Sequence, residues 1–259
     1  MNIKRCAVVS LLLATGLGLA ACSTNVRPGS AARTTPAQVS PVDALTNALA
    51  TLKSTGYDAT LTLPAQGATV TTSVDYAHKA ATQATSVNGD STRSEAFTEV
   101  GSDLWLKADF GPLNQNLNID KTKWYKVEAS KLSPGAIPFD LSGSQPTAPL
   151  AWPLGIDAVF ANAGNVTRTD ATHLAGVVDL SKANGPQAAG KSSATDAAVP
   201  FTATLDGQGR LTELRITGDL NLDIVFSNYG SPTPITAPAA ADVLPAPDRL
   251  YQVLVGTNG

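Results

Sequence analysis

The sequence predicts an α+β domain built on antiparallel strands, and three observations predict it. Apolar residues at helical spacing are confined to short stretches, strict apolar–polar alternation takes over at Tyr57 and returns in two long runs, and compact turns rich in Gly, Asn and Asp separate the alternating segments. Alternation of this kind marks strands with one buried face, as antiparallel sheets have. Parallel strands buried on both faces read as continuous apolar runs instead.

The first 39 residues are expected to lie outside that domain. Lys4 and Arg5 precede an uncharged apolar run, Cys6 to Ala21, which is shorter than the ~20 residues of a spanning helix and is broken by Gly16 and Gly18. Residues 1–21 therefore read as a signal peptide. Leu19-Ala20-Ala21-Cys22 looks like a bacterial lipobox, with small residues before the cut and a thiol free to take diacylglycerol, so Cys22 is the expected lipidation site. Ordinary cleavage and a retained anchor are the alternatives. Two or three acyl chains, palmitate among them, anchor a protein stably, since each buried methylene contributes about 0.8 kcal/mol. The expected address is the extracytoplasmic face of the cell membrane. Residues 22–39 are the lipidated Cys and a Ser/Thr/Pro/Ala-rich tether with too little apolar surface to order itself, and residues 40–259 are a single domain.

Composition bounds the chemistry. Cleavage before Cys22 removes Met1 and Cys6 with Lys4 and Arg5, leaving 238 residues with no Met, one Cys committed to acylation, and 16 basic against 21 acidic side chains. Two Cys and two His in the whole chain are too few for a four-ligand Cys/His zinc site of the usual kinds, an iron–sulfur cluster or a disulfide framework, so no metal and no cofactor is expected. A weakly acidic balance offers no footprint for a phosphate backbone, which excludes nucleic acid as a partner. The chain has no G-x-S-x-G, S-x-x-K, H-E-x-x-H or P-loop, so no catalytic residue is assigned and no enzyme is expected.

The elements follow in order. Ser40 caps and Pro41 opens a helix in which Val42, Leu45, Leu49 and Leu52 recur on one face, with Gly56 as the stop. Strands follow at Tyr57–Leu63 and Val70–Tyr76, then His78–Val87 and Ser91–Val100 around the turn Asn88-Gly89-Asp90, then Asp103–Ala108 and Lys123–Ala129. A Pro/Gly/Ser-rich stretch from Leu132 to Pro153 leads to a second short helix over Leu154–Ala163. Strands resume at Asn165–Asp170, Leu174–Leu180, Val199–Leu205, Arg210–Thr217 and Asp219–Ser227. Lys182–Ala198 reads as an exposed loop or a short helix on the sheet. The proline-rich tail from Gly230 to Pro247 is expected to run extended before a last apolar group at Leu250, Tyr251, Val253 and Leu254.

A lipobox and tether, a capped helix, strands carrying Asp103-Leu104-Trp105-Leu106-Lys107 and Lys123-Trp124-Tyr125-Lys126-Val127, the segment Thr172-His173-Leu174-Ala175-Gly176-Val177-Val178-Asp179-Leu180, and the endings Leu205-Asp206-Gly207-Gln208-Gly209-Arg210-Leu211 and Phe226-Ser227-Asn228-Tyr229-Gly230-Ser231-Pro232 together resemble the LppX/LprG-type lipoproteins of mycobacteria, within the wider set of LolA-like domains. The likeness covers about Ser40 to Pro247. It implies a half-open, strongly curved antiparallel sheet, an incomplete β-barrel, with helices over its concave face. It also implies a cavity there for an envelope lipid or a lipidated glycan, participation in that ligand's transport across the actinobacterial cell envelope, and a membrane transporter as a further partner. The motifs are turns and strand patterns, so no functional residue carries over individually.

Small aliphatic side chains and a 5% aromatic content are compatible with an incompletely filled core, and equally with a closed one. If a cavity exists, Leu61, Leu63, Val70, Val74, Leu104, Leu106, Ile216, Leu220, Leu222 and Ile224 line it from the sheet and Leu45, Leu49 and Leu52 form its lid. A closed core makes the chain a protein-binding sensor or assembly factor instead. His173 beside Asp170, and His78, read as turn histidines, a general base being the alternative. Trp105, Trp124 and Tyr125 with Lys107, Lys123 and Lys126 form either an amphipathic docking edge or ordinary sheet-surface packing.

Overall fold

The computed structural model describes residues 39–88, 93–132, 139, 141, 156–180, 198–218 and 221–256. The signal, Cys22 and the tether lie outside these residues, as do Leu220 and most of the loops 133–155 and 181–197.

Helix α1 (Pro41–Leu52) starts where the cap predicts. Ser40 Oγ accepts the Asp43 amide at 3.1 Å and donates to Asp43 Oδ2 at 2.7 Å, so cap and third helical residue satisfy each other. Ala44, Leu45, Ala48, Leu49 and Leu52 make its buried stripe. Gly56 does more than stop the helix: a Cβ there would lie 2.9 Å from the Val74 carbonyl oxygen and 3.0 Å from Pro232 Cγ, so the chain can pass this point only without a side chain.

Twelve strands then form one sheet. In chain order they are β1 (Tyr57–Leu63), β2 (Ala68–Asp75), β3 (Ala80–Val87), β4 (Arg93–Val100), β5 (Asp103–Asp109), β6 (Trp124–Val127), β7 (Gly164–Arg168), β8 (His173–Val178), β9 (Val199–Leu205), β10 (Leu211–Ile216), β11 (Leu222–Ser227) and β12 (Val243–Pro245). Their order across the sheet is β12-β6-β5-β4-β3-β2-β1-β11-β10-β9-β8-β7. The two predicted runs are thus two meanders joined where β1 pairs β11, Asp58 opposite Ser227 and Thr62 opposite Asp223. The sheet is curved and not closed, with β12 and β7 at its edges, which is the α+β half-open architecture expected.

Three corrections to the predicted elements have local causes. A short helix α2 (Leu113–Leu117) sits between β5 and β6, closed by Asn118 in a left-handed conformation (φ 56°). The tail is not simply extended: Lys123 Nζ holds the Ala241 carbonyl at 3.1 Å and Asp242 Oδ1 at 2.9 Å, and this clamp lays β12 parallel beside β6, making a mixed sheet of one expected to be purely antiparallel. The last apolar group belongs to a helix, α4 (Asp248–Gly256). The second predicted helix is observed as α3 (Ile156–Phe160), and His78 lies in the β2–β3 turn and not in a strand.

Alternation along the strands turns one face of the sheet inward, and two apolar clusters form on it. The first joins α1, α3, β1, the inward residues of β2, and β8–β11. The second joins β4–β6 with α2, Phe139 and the α4 residues Leu250, Tyr251 and Leu254. Leu141 packs against both. Helix α1 reaches β7 and α3, and so covers the first half of the inner face.

Candidate functional site

Cross-strand register makes the inner face legible as rows of neighbouring side chains. One row runs Leu174, Ala203, Leu214, Ile224, Leu61 and Val70 from β8 to β2. It then continues through Thr85, Glu95 and Ala108 on β3–β5. The next row passes from Phe226 and Ala59 through Thr72 and Gln83 to Phe97, Leu106 and Tyr125. The inner face is therefore apolar at both ends and polar across β2–β4, and this polar band separates the two clusters.

The band is built in pairs. Gln83 Nε2 donates to Thr72 Oγ1 at 3.3 Å. Glu99, 4% exposed, accepts the Leu141 amide on Oε2 at 3.1 Å. Burial of a carboxylate is costly unless N–H groups compensate it, and the Leu141 amide supplies one. Glu95 is half-buried, and burial pushes its carboxyl above the usual carboxylate range, opposed only in part by the Arg93 charge. None of these polar residues was singled out by the sequence reading. The signal was present: alternation puts Glu95, Phe97 and Glu99 on one face of β4, and two acids flanking a core Phe is an anomaly for a buried face.

Each of the predicted cavity residues has a definite place. Leu45, Leu49 and Leu52 lie on the buried stripe of α1, over the first cluster, with Leu61, Leu63, Val74, Ile216, Leu222 and Ile224 beneath; Val70 is half-buried at its border. Leu104 and Leu106 belong to the second cluster. The structure therefore brings most of these residues together but divides them between two compartments. Leu61, Val74, Leu104, Leu106, Ile216, Leu222 and Ile224 are each at most 4% exposed, so protein atoms cover them on every side.

The aromatic and lysine group does not form one edge. Leu104 and Leu106 face inward and Trp105 and Lys107 outward, but Trp105 is 7% exposed, and Tyr125 points to the inner face, its hydroxyl accepting the Asp120 amide at 2.6 Å. Trp124 is half-buried, and Lys126 pairs with Asp103 at 2.8 Å. A docking edge needs these rings exposed together; they are neither exposed nor on one face.

Both histidines sit in Asp-x-x-His turns. His78 Nδ1 lies 2.6 Å from Asp75 Oδ2, and His173 Nδ1 lies 2.7 Å from Asp170 Oδ2. Asp170 also accepts the Thr172 amide at 2.8 Å and the His173 amide at 2.9 Å, and these bonds, the Thr172 amide first, hold its carboxyl well below the usual range. Such bonds close a turn. Among the described residues no group of three or more His, Cys, Asp or Glu is placed to hold a metal ion, and no helix is long and apolar enough to cross a membrane.

No protein-family model matches the chain, and no curated protein matches it. Solved structures do, among them the crystal structure of the Mycobacterium tuberculosis lipoprotein LppX, at 14% identity and a TM-score of 0.40, over 76% of this chain and 98% of that one. LppX is of the type that the sequence resembles.

Proposed function

We propose that this chain is a lipid-anchored cell-envelope protein, acylated at Cys22 on the extracytoplasmic face of the cell membrane, that holds the acyl part of an envelope lipid or lipidated glycan against the inner face of its sheet and takes part in its transport. The observation that carries this reading is the cover of that face. It is made of short, separate helices, α1, α3 and α4, and not of a second sheet, so each can leave without breaking a ladder of backbone hydrogen bonds. The magnitudes allow the exchange. Leu45, Leu49 and Leu52 contribute about 1.5–3 kcal/mol each on burial, together roughly 5–9 kcal/mol. A sixteen-carbon acyl chain taking their place contributes roughly 12 kcal/mol at about 0.8 kcal/mol per methylene.

A second reading, a closed-core lipoprotein that binds a protein partner, is favoured by one specific observation, the near-complete burial of Val74, Leu106, Ile216 and Ile224. Native mass spectrometry of the protein purified from its own membranes separates the two. The first reading expects the acylated polypeptide plus a lipid in fixed ratio, and the second expects the acylated polypeptide with no further lipid. Changing Cys22→Ser is expected to remove the acyl mass and release the protein from the membrane; a Cys22→Ser chain that stays membrane-bound overturns the anchor.

A further inference from the structure

The opposite, outer face of the same strands carries a groove of about 210 Å3 between β2 and β5. Thr71, Ala84, Ala96 and Lys107 are consecutive cross-strand partners along it, and Thr69, Ser86 and Ser94 form the neighbouring row. Lys121, from the turn before β6, closes one end. Each group has a use. Ala84 and Ala96 leave the floor low enough for a ring to lie against the sheet. The Ser and Thr hydroxyls on one wall both donate and accept hydrogen bonds. The two ammonium groups stand on the other wall.

Those ammonium groups have donors to spare. Lys121 Nζ meets Asp109 Oδ2 at 3.2 Å, one contact for three N–H groups. Lys107 makes no hydrogen bond or ion pair among the described residues, and feels Asp120 and Asp242 only at longer range. Glu95 is the acid in the lining, and its desolvated carboxyl, held above the usual range, opposes an incoming anion less than an exposed Glu would. No aromatic ring lines the groove, so a neutral sugar has nothing to stack on. At below the ~300 Å3 of a drug-sized pocket it takes a single ring or short polyol with one charged substituent.

We propose that this groove binds a phosphorylated sugar or polyol, its phosphate between Lys107 and Lys121 and its hydroxyls on Thr71, Ser86 and Ser94. The site is independent of the inner-face reading, since it lies on the other side of the sheet and uses none of the same side chains except the backbone-sharing Glu95. The phosphate can come from a soluble sugar phosphate or from a phospholipid headgroup.

The test is a titration of the isotope-labelled full-length protein in micelles with glucose 6-phosphate, glucose and inorganic phosphate, followed by backbone amide shifts. Saturable shifts at Thr71, Ala84, Ser86, Ser94 and Ala96 are expected with glucose 6-phosphate, about tenfold tighter than with either fragment. K107Q and K121Q are each expected to weaken binding about five- to tenfold without changing the melting temperature, A96L to abolish it, and added salt to weaken it as screening shortens. Absence of saturation, equal affinity for inorganic phosphate, or indifference to both lysine substitutions overturns the proposal. Competition by phosphatidylglycerol vesicles against glucose 6-phosphate assigns the natural source to a headgroup; failure to compete, with the soluble probe bound, assigns it to a free sugar phosphate.

Discussion

Glu99, buried in the middle of β4, accepts the backbone amide of Leu141 at 3.1 Å, and so ties to the sheet a residue that packs against both apolar clusters. Glu99→Ala removes the acceptor and leaves the Leu141 N–H buried, and is expected to cost about 1–3 kcal/mol in a urea titration. Glu99→Gln keeps an amide oxygen in the same place and is expected to recover more than half of that loss. Equal losses for the two variants would show that the carboxylate charge, and not the acceptor, is what the site needs.

Glu95 carries the opposite sign. A carboxyl whose pKa is higher in the folded than in the unfolded chain binds more protons when folded between the two values, so stability falls as pH rises through that interval. Glu95→Gln is expected to stabilise the protein at pH 7 and to leave it unchanged at about pH 3, below the ordinary Glu pKa. Thermal melts across this pH range check the sign, and a destabilised variant at neutral pH would refute it.

Gly176 on β8 faces Phe201, and a Cβ placed there would lie 2.7 Å from Phe201 Cε1 and 2.9 Å from the Gly164 carbonyl oxygen. Phe201 cannot step aside freely, because it packs edge-on against Phe160 of α3 with ring centroids 4.8 Å apart. Gly176→Ala is therefore expected to cost about 1–3 kcal/mol, as overpacked sites do. Pairing it with Phe201→Leu is expected to return part of the loss, which a double-mutant cycle measures.

Val74 and Leu106 test where a ligand sits. Val74→Trp fills the first apolar cluster and Leu106→Trp the second, each at a fully covered position. Both are expected to destabilise the ligand-free protein by about 1–3 kcal/mol. Loss of co-purifying lipid from one variant alone would assign the acyl chain to that compartment. Lipid retained in full by both folded variants would remove the ligand from the inner face.

Legibility in the sequence follows the range of the forces involved. Elements set by local pattern, the capped helix at Pro41, the switch to alternation at Tyr57 and the hairpins, could be read to within a few residues because cap, period and turn chemistry act within a single segment. The strand β12 could not. Its three residues have no pattern of their own, and its position depends on a clamp between Lys123 and Asp242, more than a hundred residues apart. Helix α4 is short, and its hold comes from partners such as the Glu128 amide bonded to Tyr251 Oη at 2.9 Å. For the candidate site, alternation identified which leucines face inward. It did not show that Leu61 and Leu106 lie in different clusters, because that boundary is drawn by Thr72, Gln83, Glu95 and Glu99 acting together across three strands.

The seam between β1 and β11 also orders events in time. Strand β1 is made early and stands at the centre of the finished sheet, yet the neighbour on one of its sides, Leu222–Ser227, is synthesised after every other strand except β12. Until then β1 carries an open row of N–H and C=O groups, the kind of edge on which chains pair wrongly. The first meander, β1 to β6, closes through neighbours in sequence and can assemble quickly, whereas the second half must loop back to complete the sheet. Non-local closure of this kind makes folding slow. A nascent chain halted before β11 would therefore present its most aggregation-prone strand unprotected, which makes the last sixth of the polypeptide a determinant of whether the first third survives.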